Sequence, residues 1–266
     1  MTNSNFKEAQ VYCDRGFKNQ DSEGALVDFD RAIALNPNLA GAYHLRGVVK
    51  QNRLNNPQGA LADYNRAIEI APGYTSAYFC RGMLKKNSLN DFDGALADFD
   101  RATVLEPDLA EPYFLRADLK YTQLNDPQGA VNDINRAIFL NPNFAVAYLF
   151  RADLKSSHLS DFQGALTDLD RAISLAPQSA IPYYNRGVLK NNELKDFQGA
   201  LADYDQAISL DPNLAEVYMS RVGLKYSQLG DIQGAIEDLR TAANIYRNNS
   251  EAENLQNALD ILDEIV

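Results

Sequence analysis

The stretch QGALADY occupies Gln58–Tyr64 and returns letter for letter at Gln198–Tyr204, 140 residues later. Sliding the chain against itself fills the interval. The dipeptide Gly-Ala recurs at Gly24, Gly59, Gly94, Gly129, Gly164, Gly199 and Gly234, always 35 residues apart. An unbroken period between about 20 and 50 residues marks a solenoid, a propeller or an array. A length of 266 residues would otherwise suggest one or two compact domains. Units that pack mainly on their neighbours make one elongated domain instead, so a single repeat domain over residues 1–266 is expected.

One period, Leu39 to Gly73, reads as two helices. LAGAYHLRGVVKQNRL forms the first, and NNPQGALADYNRAIEIAPG gives a turn, the second helix and a stop. The second opens on a capping column of Asn56, Asp91, Asp126, Asp161, Asp196 and Asp231. An Asn or Asp oxygen there accepts from the free N–H groups of the first turn. Pro57 and Pro127 follow it, at a position where proline fixes a helix start. Pro37, Pro72, Pro107, Pro142, Pro177 and Pro212 close the helix, since proline cannot continue it. Connections this short give antiparallel hairpins.

The columns that repeat are those that stacking needs. Ala60, Tyr64 and Ala67 and their counterparts sit at i, i+4, i+7, one helical face. Tyr43, Tyr78, Tyr113, Tyr148, Tyr183 and Tyr218 form an unbroken column in the first helix. Four residues on stand Gly47, Gly82, Ala117, Ala152, Gly187 and Val222, mostly small.

An aromatic, a small residue four positions later, then A-x-x-x-[FYLI]-x-x-A-x-x-x-x-P resembles the tetratricopeptide repeat family. The resemblance covers six regular repeats over residues 39–246, after a divergent first repeat over 1–38 whose first helix does not fit the columns. Two departures stand out. The family's usual unit is one residue shorter, the extra residue falling late in the first helix, and its preferred tryptophan is tyrosine throughout. The resemblance implies an all-α, superhelical solenoid of helix hairpins whose first helices line a concave groove. Residues 250–266 read as a capping helix, entered through a capping box of Ser250 and Glu253, with Leu255, Leu259, Leu262 and Val266 as its apolar stripe.

Composition excludes several functions. The net charge of −11 argues against nucleic acid or an anionic membrane as partner. No 18-residue apolar run is present, so nothing is expected to span a bilayer. Cys13 and Cys80 fit no disulfide framework and no metal spacing, which favours a reducing cytoplasm. His44 and His158 occupy different columns with no Ser, Cys or carboxylate at triad or metal spacing, so neither an enzyme nor a cofactor is expected.

Two sets of columns carry charge or vary. Arg46, Arg81, Arg116, Arg151, Arg186 and Arg221 recur in register, each with a lysine four residues later. At roughly 100° per residue, both columns fall inside the buried arc of the first helix. The second helices supply Asp28, Asp63, Asp98, Asp133, Asp168, Asp203 and Asp238, so a structural ladder of ion pairs is expected rather than an anion track. The opposite arc changes from unit to unit: His44, Phe79, Phe114, Leu149, Tyr184 and Met219 in one column, with Met83, Asp118 and Asp153 a turn further on. Tyr121, Asn191 and Tyr226 stand in a third. Columns free to differ can be tuned to a ligand, and their apolar members suit a binding surface.

The function expected is a non-enzymatic interaction module, an adaptor or scaffold holding a partner segment in the groove. Two unpaired carboxylates, Asp118 and Asp153, would favour a segment with apolar and basic character. The family's clamp for an acidic C-terminus is absent from these columns. Self-assembly through the first helix and assembly chaperoning are the alternatives, with a monomer or weak homodimer as the expected state.

Overall fold

The structure is a computed structural model that describes residues 3–265, with side chains from Asn5 onward. Val266 of the expected cap stripe lies outside the described residues. Among these there are fifteen α-helices and no strand. They fall into two compact units, one ending at Leu140 and the other beginning at Asn141.

The first unit holds four hairpins: α1 (Asn3–Lys18) with α2 (Ser22–Leu35), α3 (Ala40–Asn52) with α4 (Pro57–Ile70), α5 (Thr75–Leu84) with α6 (Phe92–Leu105), and α7 (Ala110–Thr122) with α8 (Pro127–Leu140). The second holds α9 (Ala145–Ser157) with α10 (Phe162–Leu175), α11 (Ala180–Leu189) with α12 (Phe197–Leu210), α13 (Ala215–Leu224) with α14 (Ile232–Asn248), and the terminal α15 (Ala252–Ile265).

The repeated Gly-Ala has a steric cause. The side chain of each capping residue folds over the first turn to accept the N–H three residues on, as Asn56 does from Gly59 at 2.9 Å and Asp196 from Gly199 at 3.0 Å. A Cβ on Gly199 would lie 2.0 Å from the Asp196 carboxylate oxygen. The cap and a side chain cannot share that space, so glycine follows it in every unit.

The other end of each first helix absorbs the 35th residue. The backbone N–H of Asn56, Asp91, Asp126, Asp161, Asp196 and Asp231 reaches back six residues to a lysine carbonyl at 2.9–3.0 Å. In three hairpins this widened turn is a π segment, Lys85–Leu89, Lys190–Leu194 and Lys225–Leu229. A π turn takes one residue more than an α turn. The residue before each of these six caps is left-handed: Asn55, Asn90, Asn125, Ser160, Lys195 and Gly230, with φ between 48° and 67°.

Inside the hairpins, residue sizes match in pairs. Where the small column is glycine, the second helix presents an aromatic ring: Gly47 faces Tyr64, Gly82 faces Phe99 and Gly187 faces Tyr204. A Cβ at any of these would sit 2.7 Å from the ring. Where the column is Ala117 or Ala152, the residue 17 positions on is the aliphatic Ile134 or Leu169. Tyr64, Phe99, Ile134 and Tyr204 are all at most 1% exposed. Each such burial stabilises by about 1.5–3 kcal/mol.

Two expectations need correction. The first helix does fit the columns once a four-residue deletion is allowed before Asp21. Tyr12, Arg15 and Gly16 then stand where Tyr43, Arg46 and Gly47 do. The Arg15 guanidinium lies 4.7 Å from the Tyr12 ring centre and its Nε donates to Asp28 at 2.8 Å. Ser250 makes no capping box. It is left-handed (φ 63°), at the close of α14. α15 starts after Glu251, whose carboxylate accepts from Asn249 and Asn254 at 3.0 and 2.8 Å and is held below the usual carboxylate range by those bonds.

Candidate functional site

The arginine column uses every face of its guanidinium. Arg46 donates from Nε and Nη2 to the two oxygens of Asp63 at 3.0 and 2.6 Å, the bidentate geometry that suits a carboxylate. Nη1 reaches Asp30 on the preceding hairpin at 2.6 Å, and Lys50 Nζ lies 2.7 Å from Asp63. The pattern recurs in Arg81 with Asp98, Arg116 with Asp133, Arg151 with Asp168, Arg186 with Asp203 and Arg221 with Asp238. Nη1 contacts Asn65, Asp100, Asp170 or Asp205 of the hairpin before in four of these. The aspartates are nearly sealed and the arginine side chains 15–20% exposed. Burial alone would push the Arg46 guanidinium down, but hydrogen bonds to Asp63 and Asp30 outweigh it and hold it above its ordinary value. From Tyr43 to Tyr218, each column tyrosine lies beside the arginine three residues on, at 5.3–5.7 Å from ring centre to guanidinium carbon. This is a cation–π contact. The bridging acids and Asn65 form a column that sequence reading passed over, although its 35-residue recurrence was visible.

Around His44 and Asp118 on the variable arc of the first unit, the side chains satisfy one another. His44 is only 9% exposed. Its expected place on an open groove is corrected: Tyr74 Oη lies 3.1 Å from Nδ1 and Cys80 Sγ 3.4 Å from Nε2. Cys80 stands 36 residues after His44, one period plus one, which places it on the next first helix. That offset was the signal sequence spacing overlooked. The pair resembles a thiol–imidazole dyad in distance only. Burial pushes the Cys80 thiol up to about 11 and His44 below its ordinary value, so neither is charged at neutral pH. A reactive cysteine needs its thiolate. Phe79 lies 6.5 Å from the Phe99 ring, and Met83 packs against the cluster of Ala95, Phe99 and Leu119. Phe114 and Tyr121 are half-buried. Asp118 is not unpaired, as expected, but bound to the Lys86 ammonium of the preceding hairpin.

The second unit leaves its arc open. Leu149, Asp153 and Tyr184, drawn from the predicted columns, line one cavity of about 360 Å³ with Val188, Asn192 and Glu193. Tyr184 is held in place by its hydroxyl, 3.3 Å from Ser220 Oγ, again at the 36-residue offset, and by its ring, 6.2 Å from Tyr204. Among the described residues no ion pair engages the carboxylates of Asp153 or Glu193. Met219 and Tyr226 line a different cavity of about 270 Å³ with Ile261 and Ile265 of α15. Asn191 belongs to neither lining and donates to Asn192 at 2.9 Å. No group of three or more His, Cys, Asp or Glu among the described residues is placed to hold a metal, and no helix is long and apolar enough to cross a membrane.

Comparison with known proteins agrees with this architecture. A family model for the tetratricopeptide repeat matches residues 158–215. The Pseudomonas aeruginosa pilF protein superposes with a TM-score of 0.71 at 19% identity, over 82% of this chain and 98% of its own. A tetratricopeptide repeat protein from Parabacteroides merdae gives 0.65 at 20%, over 96% and 98%. YrrB, described as a repeat protein with an unusual peptide-binding site, gives 0.59 at 22%, over 73% and 97%. No curated protein matches the sequence. The family match over residues 158–215, the shared fold and the 35-residue spacing of the hairpins from residue 39 onward together support a tetratricopeptide repeat protein.

Proposed function

We propose that this protein is a non-enzymatic adaptor or scaffold whose second unit holds a segment of a partner protein across its open arc. The observation that carries the reading is the cavity at Leu149, Asp153 and Tyr184, formed by variable columns on a frame of invariant ones. A concave site with an apolar wall and a few polar groups is the usual form of a ligand site. Leu149 and Tyr184 are the anchors and Asp153 meets positive charge, so the segment has apolar and basic character. Phe114 and Asp118, expected to share that role, belong to the first unit, where Lys86 already neutralises the acid. YrrB supports the reading as a relative in fold with a peptide-binding site. The free thiols of Cys13 and Cys80 suit a reducing compartment, and we place the protein in the cytoplasm, without nucleic acid, membrane or cofactor as partner.

Co-purification from the native host tests the proposal. The parent chain should retain a partner that the doubly substituted Leu149→Ala, Tyr184→Ala chain loses. A buried aromatic anchor commonly carries about 2 kcal/mol or more. Equal retention by the folded variant rejects the site. One observation favours a second reading, self-assembly: Phe6 and Phe17 of α1 are 54% and 67% exposed. Light scattering separates the two, since a monomer has a mass of 29.5 kDa.

A further inference from the structure

The first unit shows how this fold satisfies a carboxylate at the position of Asp118: a lysine ammonium 32 residues earlier in the chain, Lys86, sits on it. One period later the carboxylate recurs as Asp153, but the residue in the lysine's column is Tyr121, which brings no positive charge. Asp153 is exposed, and the lining of its cavity adds a second exposed carboxylate, Glu193, on the π segment Lys190–Leu194. The cations close by are committed elsewhere. Lys155 pairs with Asp168 at 2.8 Å, Lys190 with Asp203 at 2.8 Å, and Lys195 Nζ turns onto the Asn192 carbonyl at 2.5 Å. Two negative charges therefore face a cavity of about 360 Å³ whose wall is Leu149, Tyr184 and Val188.

Resting on the proposed function, we infer that this cavity is a pocket for one basic side chain of the partner segment, with Glu193 as a specificity-determining residue. The incoming lysine or arginine takes the place that Lys86 fills in the first unit. Its aliphatic stem lies along Leu149 and Tyr184 while its charge meets Asp153 and Glu193, as long cationic side chains pack their stems and keep their heads polar. The amide of Asn192 and the hydroxyl of Ser156 add to the polar side of the lining. Paired carboxylates at the mouth also reject an acidic segment, which makes the charge a selector as well as an attraction.

The test selects random nine-residue peptides on the full chain, then resynthesises the tightest binder with its basic residues replaced by norleucine. The expected result is a set of sequences with Lys or Arg beside Leu or Phe. The norleucine peptide should bind on the order of tenfold more weakly, and the gap should shrink as salt screens the charges. Asp153→Asn with Glu193→Gln should weaken the basic peptide on the order of tenfold and the norleucine peptide less than about twofold. Both residues are exposed and make no ion pair, so circular dichroism should show the variant folded. If Tyr184→Ala releases the peptides but basic residues are not enriched, or the double variant binds them as tightly, the cavity binds segments without reading charge. The inference then falls, and with it the basic character assigned to the segment, while the reading of the cavity as a segment site on a non-enzymatic adaptor stands. If Tyr184→Ala and Leu149→Ala release nothing, or no peptide is selected, the cavity is not a segment site and both fall.

Discussion

The surroundings of His44 in the first unit and of Tyr184 in the second are built from the same columns on the same backbone, yet one is closed and the other open. His44 and Tyr184 share a column, and each reaches a residue 36 positions on, Cys80 and Ser220. In the first unit Tyr74 also covers the imidazole, and further along the same unit the chain supplies Lys86 to neutralise Asp118. In the second unit the matching acid has no such lysine, and a cavity remains. The invariant columns decide that hairpins stack. The variable ones decide whether the exposed arc is filled from within or left for something else.

The largest effect should fall on what the two units share. Asp63 and Asp203 each receive an arginine and a lysine while only 4% exposed or less. Asp63→Ala and Asp203→Ala each strand two poorly solvated cations, so each should cost about 3 kcal/mol. Urea unfolding measures the cost, and hydrogen exchange should show protection lost first in the hairpin concerned and its neighbours. A large cost in one unit with almost none in the other would break the claim of a common frame.

Next in size is the match between glycine and ring. Gly187→Ala forces a methyl against Tyr204, and overpacking of this kind costs about 1–3 kcal/mol. Tyr204→Leu in the same chain should recover most of it, recreating the Ala152 with Leu169 combination found one period earlier. A double-mutant cycle with no coupling between positions 187 and 204 would refute the match.

A pH effect should separate the two units. His44 is buried neutral, with its folded value lowered from 6.5 by desolvation. The sign follows: below 6.5 the unfolded chain binds a proton that the folded chain resists, so stability is intact above 6.5 and falls as pH drops toward the lower folded value. The groups facing the imidazole are Tyr74, Cys80 and the Tyr64 ring, none of them acidic enough to stabilise an imidazolium. Hydrogen exchange at pH 7.5 and 5.5 should therefore show α3 and α5 loosening at the acid end, and His44→Leu should abolish that response. An unchanged pH response in the variant would place the sensitive group elsewhere.

Most of the frame was readable because repetition makes each column a set of independent observations. Five aspartates and an asparagine in register identify a cap, and six arginines inside the buried arc, opposite six buried aspartates, point to ion pairs. The site was less readable because contacts between hairpins follow offsets of 32 and 36 residues rather than the period itself. His44 looked open until the 36-residue offset brought Cys80 beside it, and Asp118 looked unpaired until the 32-residue offset brought Lys86. Glu193 escaped notice because it lies on the widened turn, outside the helical arc on which the variable columns were counted. The first helix seemed not to fit for a similar reason, since its four-residue deletion hides Tyr12, Arg15 and Gly16 from any search at a fixed period.

The smallest predicted effect concerns the left-handed residue before each cap, where the two units again differ. The first unit places asparagine there three times, at Asn55, Asn90 and Asn125, and the second places Ser160, Lys195 and Gly230. Asparagine visits this region readily and glycine has no Cβ to clash, but serine and lysine are forced into it, at φ 51° and 56°. The widened turn imposes the conformation, because the next N–H must return to a lysine carbonyl six residues back. Ser160→Gly and Lys195→Gly should relieve that strain. Since glycine also gains freedom in the unfolded chain, the net stabilisation should be only about 0.5–1 kcal/mol each. Gly230→Ala should move the other way by a similar amount, whereas Asn90→Gly in the first unit should change little. Denaturant midpoints with unchanged slopes would register all four. If Lys195→Gly destabilised the second unit, the backbone strain would have to be smaller than the entropy glycine adds, and the contrast between the two sets of turns would be one of composition alone.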